Sequence, residues 1–139
     1  MNRTDIVNCI IKKYNYQNYL EIGVRDPVGN FNLINITHKD GGDPVPLGGE
    51  VNYPITSDEF FKFIKGEDIK YDIIFIDGLH LHDQVVKDIN NSLNHIVDGG
   101  TIVLHDCSPA SEDRQVEEYV VGKSWNGTVW KAWVEFRCN

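Results

Sequence analysis

The 139-residue sequence has three cysteines, one methionine and no apolar run near the roughly 20 residues that span a bilayer. Each shortage excludes something. Cys9, Cys107 and Cys138 are an odd number with no CxxC spacing, so neither a disulfide framework nor a zinc ribbon is expected. Reduced thiols in a cytoplasmic setting are expected instead. The opening Met1-Asn2-Arg3-Thr4-Asp5 lacks the basic-then-apolar layout of a signal peptide, and no membrane partner is expected. Positive charge is scarce as well: 13 Lys and Arg against 21 Asp and Glu leave a formal charge of −8. A surface of that sign repels phosphate backbones, so nucleic acid is not an expected partner. The remaining composition is globular and its length suits one domain, residues 1–139.

The richest stretch runs from Tyr71 to Cys107 and reads as a βαβ unit. Asp72-Ile73-Ile74-Phe75-Ile76 is continuously apolar and β-branched after its first residue, as a strand covered on both faces should be. It stops at Asp77-Gly78-Leu79-His80. A helix with Val85, Ile89, Leu93 and Ile96 or Val97 on one stripe follows and is expected to end at Asp98-Gly99-Gly100. Thr101-Ile102-Val103-Leu104 is the next strand, stopping at His105-Asp106-Cys107. Two parallel strands deliver their carboxyl ends to one edge, so Asp77, His80, His105 and Asp106 should converge where open α/β sheets bind ligands.

The rest of the chain alternates in the same way. Thr4 to Lys13 predicts a helix capped by Thr4 or Asp5, and Tyr19 to Val24 a strand ending at Gly23. Phe31 to Ile36 predicts a short helix, and His38 to Asp43 a weakly signalled strand. Pro44 to Gly49 reads as a loop, and Val51 to Ile55 as an edge strand, because Pro54 cannot donate to a central ladder. Thr56-Ser57-Asp58-Glu59 has capping-box spacing and opens a helix that stops at Gly66. Glu112 to Val120 predicts a further helix. Val129 to Arg137 fits either periodicity, with helix favoured. The expected fold is therefore α/β and doubly wound, with about five mostly parallel strands in the order 3-2-1-4-5.

Several residues carry candidate chemistry. Gly23 ends the first strand, and a ligand could approach its bare backbone. Arg25 stands where GxGxxG would need its second glycine, which counts against NAD, as does the absence of a Tyr-x-x-x-Lys pair. Asp43, about twenty residues on, is placed to take ribose hydroxyls or to stabilise the turn at Pro44. Ser57 and Asp58 either reach an adenine or merely cap their helix. Asp77 and Asp106 with neighbouring imidazoles suit Mg²⁺, and His80 is placed as a general base. His82 and His95 read as solvated surface residues. Trp125, Trp130 and Trp133 read as core or an oligomer contact, with the lining of a substrate pocket as the lesser reading.

Tyr19-Leu20-Glu21-Ile22-Gly23, Gly42-Asp43-Pro44, Thr56-Ser57-Asp58-Glu59, Phe75-Ile76-Asp77-Gly78-Leu79-His80 and Gly99-Gly100-Thr101-Ile102-Val103-Leu104-His105-Asp106 together resemble class I S-adenosylmethionine-dependent methyltransferases. The nearest branch is the small one with Asp-Gly-x-His and His-Asp strand ends, the methyltransferase domain 24-like proteins. The resemblance implies a Rossmann-like fold with S-adenosylmethionine as cofactor, and Glu21, Gly23, Asp43, Ser57, Asp58 and Asp77 as its binding residues. It implies Asp77, Asp106 and His105 around a Mg²⁺, with Asp77 and His80 catalytic. The expected acceptor is a hydroxyl of a small molecule such as a sugar. The alternative expectation is a non-catalytic nucleoside-binding or scaffold domain. Such relatives often have an acid where this chain has His105. They also add a C-terminal β-hairpin for which no residues follow here, so an exposed sheet edge, or a second copy covering it, is expected.

Overall fold

In the computed structural model, which describes residues 1–138, four parallel strands form one sheet. They are β1 (Asn18–Ile22), β2 (His38–Gly42), β3 (Tyr71–Ile76) and β4 (Ile96–Leu104), in the order β2-β1-β3-β4. Four helices accompany them: α1 (Arg3–Tyr14), α2 (Ser57–Phe63), α3 (His82–His95) and α4 (Val129–Cys138). The order and parallel sense of these strands are those of the centre of a Rossmann-like sheet.

The period-two alternation of the strands divides the core. Leu20, Ile22, Ile74 and Ile76 face Phe60 and Phe61 of α2, Val85 and Ile89 of α3, and Val129 and Ala132 of α4. Tyr19, Ile73 and Phe75 face the other way, against Val7 and Ile11 of α1 with Phe31 and Ile34. Phe60 is fully buried, a burial worth roughly 1.5–3 kcal/mol. Thr56 and Glu59 form the expected capping box on α2, worth about 1 kcal/mol.

Several expectations are corrected. The outermost predicted strand, Val51 to Ile55, is reduced to a parallel bridge between Tyr53 and Gly42, so the sheet has four strands rather than five. That bridge lies beyond β2, where the predicted order puts it, and Pro54 leaves no donor to extend it. Asn2, not Thr4 or Asp5, caps α1; its side chain accepts from Asp5 N at 2.9 Å. Phe31 to Ile36 is not one helix. Two 3-10 turns, Pro27–Gly29 and Phe31–Leu33, flank Asn30, whose side chain is committed to Thr4 and Glu21. Of Glu112 to Val120 only the 3-10 turn Glu112–Arg114 forms, and Val116, Tyr119 and Val120 stay largely exposed, too little burial to hold a helix.

α3 ends at His95, and the glycines expected to terminate it lie inside β4, where the register with β3 slips. Leu93, assigned to the buried stripe, is exposed, while His95, assigned to solvent, is buried. His95 Nδ1 donates to Ile69 O at 3.0 Å, and its ring stacks on Phe61. α4 is a helix, as favoured.

Candidate active site

The carboxyl ends of β1, β2, β3 and β4 open onto a cavity of about 890 Å³, the size of a pocket for a small organic ligand. Gly23, Asp43, Ser57, Asp58, Asp77, His80, His105 and Asp106 all line it. Glu21 does not. It alternates onto the α1 face of the sheet, where it is 2% exposed and accepts from Tyr19 Oη at 2.5 Å and Asn30 Nδ2 at 3.0 Å. Its expected contact with a cofactor has no basis in this placement. Burial lifts its carboxyl to about 7 against these two donors.

Gly23 reaches the cavity, but its lack of a side chain serves the backbone. It has φ +85°, and a Cβ there would collide with the Asp77 carbonyl and Gly78. β1 and β3 therefore end in contact. Asp43 lines the cavity with both oxygens already accepting loop amides, Arg25 N and Val45 N, each at 2.8 Å. Ser57 and Asp58 share one donor, Gln84 Nε2, at 3.2 and 3.1 Å.

The four strand-end residues do converge. His80 Nε2 lies 3.3 Å from Asp77 Oδ1 and 3.4 Å from Asp106 Oδ2. His105 Nδ1 lies 3.2 and 3.1 Å from the same two oxygens, out of line for a hydrogen bond. Each of three members is also held from behind. Arg3 Nη1 donates to Asp77 Oδ2 at 2.6 Å, and Asn126 Nδ2 to Asp106 Oδ1 at 2.7 Å. The Trp125 carbonyl lies 3.1 Å from His80 Nδ1. A carbonyl can only accept, so Nδ1 carries a proton; Nε2, turned toward the carboxylates, donates to Asp77 Oδ1 at 3.3 Å when the ring is an imidazolium. Asp106 reaches this arrangement from a left-handed backbone, φ +57°, which Asp tolerates better than most residues.

These contacts set the charges. Burial opposes ionisation of Asp77, but the imidazoles of His105 and His80 outweigh it and hold the carboxyl below its usual range. Desolvation works against the His80 imidazolium, yet Asp77 and Asp106 lift its pKa above the ordinary value. Asp106 and then Asp77 pull His105 up to about 9.

The sequence alone does not point to Arg3, Gln84 or Asn126 as site residues. Nothing in the sequence marks Arg3, because its role depends on where α1 packs. Trp125 and Asn126 belong to a turn; for Trp125 the lesser, pocket-lining reading holds, since it lines the cavity and stacks on His80 at 5.0 Å. His82 bridges Asp83 at 2.8 Å and Glu135 at 2.9 Å, a surface link between α3 and α4.

A central parallel sheet in this order, with a ligand-sized cavity at its strand ends, defines a Rossmann-like α/β domain. Residues 46–107 match the family model described as a methyltransferase domain, which supports a class I S-adenosylmethionine-dependent methyltransferase-like domain. The matched span includes Ser57, Asp58, Asp77, His80, His105 and Asp106. No curated protein matches the chain.

Proposed function

We propose that this domain transfers the methyl group of S-adenosylmethionine to a hydroxyl of a small molecule, with a sugar as the acceptor class. The observation that carries this reading is the inward trio Asp77 Oδ1, His80 Nε2 and Asp106 Oδ2, each on a side chain anchored from behind. The cofactor would lie along the cavity from Gly23 past Asp43 to Ser57 and Asp58. The ribose contact at Asp43 would use lone pairs that the loop amides leave free.

In the transfer, the acceptor oxygen attacks the methyl carbon in line with the carbon–sulfur bond. The bonding pair leaves with sulfur, giving S-adenosylhomocysteine. The hydroxyl proton passes to His80 Nε2, and the resulting imidazolium is stabilised by Asp77 and Asp106. A positioned base of this kind contributes on the order of 10²–10⁴-fold.

A metal is a second reading with its own observation. Ligand atoms of Asp77, His80 and Asp106 lie within 4.8 Å of one another, and each has the outer partner that metal ligands usually have. The residues therefore fit a divalent cation such as Mg²⁺. His80 would replace His105 in the expected ligand set. The ion would lower the pKa of the acceptor hydroxyl. His80 Nε2 serves only one role at a time, as ligand or as base.

Calorimetric titration with S-adenosylhomocysteine tests the first reading. Saturable binding is expected, and none at millimolar ligand ends it. Turnover that persists in EDTA keeps His80 as the base, whereas turnover restored only by Mg²⁺ makes it a ligand.

A further inference from the structure

We infer that Trp125 and Asn126, which lie outside the family-matched span, are positioning residues for His80 and Asp106. The inference rests on the function proposed above and goes one layer beyond it. Trp125 fixes His80 twice: its carbonyl takes the Nδ1 proton at 3.1 Å, and its ring stacks on the imidazole at 5.0 Å and 24°. The tryptophan is itself held, because Nε1 donates to Val116 O at 2.7 Å and Tyr119 packs against the indole. Asn126 turns Asp106 by donating to Oδ1, which leaves Oδ2 facing His80.

The backbone around these two residues has little room to drift. The amides of Asn126 and Gly127 both donate to Arg114 O at 3.0 Å, and Thr128 N donates to His80 O at 2.8 Å. Gly127, at φ +60°, lies so close to His80 that a Cβ would collide with the His80 carbonyl. The segment and the imidazole are thus one packed unit. The two contacts engage His80 Nδ1 and Asp106 Oδ1 and leave Nε2 and Oδ2 for acceptor or metal, which is how outer partners orient a reacting group.

The test uses the full chain. Nitrogen-15 NMR of the His80 ring, recorded without substrate at a pH where the ring is neutral, reads which nitrogen holds the proton. The wild type should show the Nδ1–H form. Trp125→Phe and Trp125→Ala both keep the backbone carbonyl and should retain that form, while Trp125→Ala, which loses the stacked ring, should lower kcat by about tenfold. Asn126→Ala should lower kcat by about tenfold or more while the KM for S-adenosylmethionine changes less than about twofold.

An Nε2–H tautomer in the wild type overturns the proposal, and so does a kcat within about twofold in Asn126→Ala. If Trp125→Ala does not fold, the wild-type tautomer and the Asn126→Ala kinetics still decide. A wild type that binds no S-adenosylhomocysteine refutes the proposed function instead, and the tautomer measurement reads the His80 arrangement independently of it.

Discussion

Two buried carboxyl groups sit at the ends of adjacent parallel strands and meet opposite fates. Glu21 is 2% exposed and its carboxyl is lifted to about 7, while the Asp77 side chain is 11% exposed and its carboxyl is held low. Burial raises both. The partners differ: Glu21 is met by a phenol and an amide, Asp77 by a guanidinium and two imidazoles. At Glu21 the two neutral donors do not offset the loss of water around the charge, whereas at Asp77 the cationic partners do. The pair shows that the type of neighbour, more than depth alone, decides whether a strand-end acid is ionised and ready for chemistry.

The comparison predicts that changes at the Asp77 end alter turnover and changes at Glu21 alter stability. His80→Ala carries the largest expected effect, a fall in kcat of about 10²–10⁴ with S-adenosylhomocysteine binding retained in calorimetry. In the wild type with His80 as base, kcat should rise with pH through a transition above the ordinary histidine value, because the base must be neutral. Arg3→Gln removes the charge on Asp77 Oδ2 and should cost about tenfold in kcat, with the melting temperature little changed.

Glu21→Gln is the smallest effect and the sharpest contrast. A carboxyl raised from 4.5 to about 7 favours the folded state when protonated, so wild-type stability falls as pH climbs through that window. The glutamine does not titrate, and urea midpoints at about pH 5 and about pH 8 should show the variant losing a slope on the order of 2 kcal/mol. Asp88, raised to about 6 by burial, keeps a residual slope of the same sign in both proteins. Equal pH dependence in the two would break the comparison.

What the sequence revealed follows from which forces are local. The apolar run of β3, the capping box at Thr56 and the polar strand ends are written in adjacent residues, and the convergence of Asp77, His80, His105 and Asp106 follows once β3 and β4 are parallel neighbours. The side of a strand is equally local in principle: counting by two puts Glu21 on the face of Tyr19 and Phe75, and it lies within β1, short of the strand end that opens on the cavity. Long-range partners were not legible. His95 is buried because Phe61 and Ile69 come to it, and Arg3 meets Asp77 only after α1 docks. The apolar residues from Val116 to Val120 have helical spacing but stay largely exposed, with only the Trp125 ring against Tyr119, so spacing misled there.

The start of α3 has one more consequence. Leu81, at its N-cap position, offers no side-chain acceptor, and the His82 amide bonds instead to Thr128 Oγ1 at 2.7 Å. The helix borrows its cap from a residue 46 positions further along the chain. Its first turn is therefore completed only when the polypeptide has closed back on itself, so the loop bearing His80 should be among the last parts to set during folding and the first to loosen when α4 detaches.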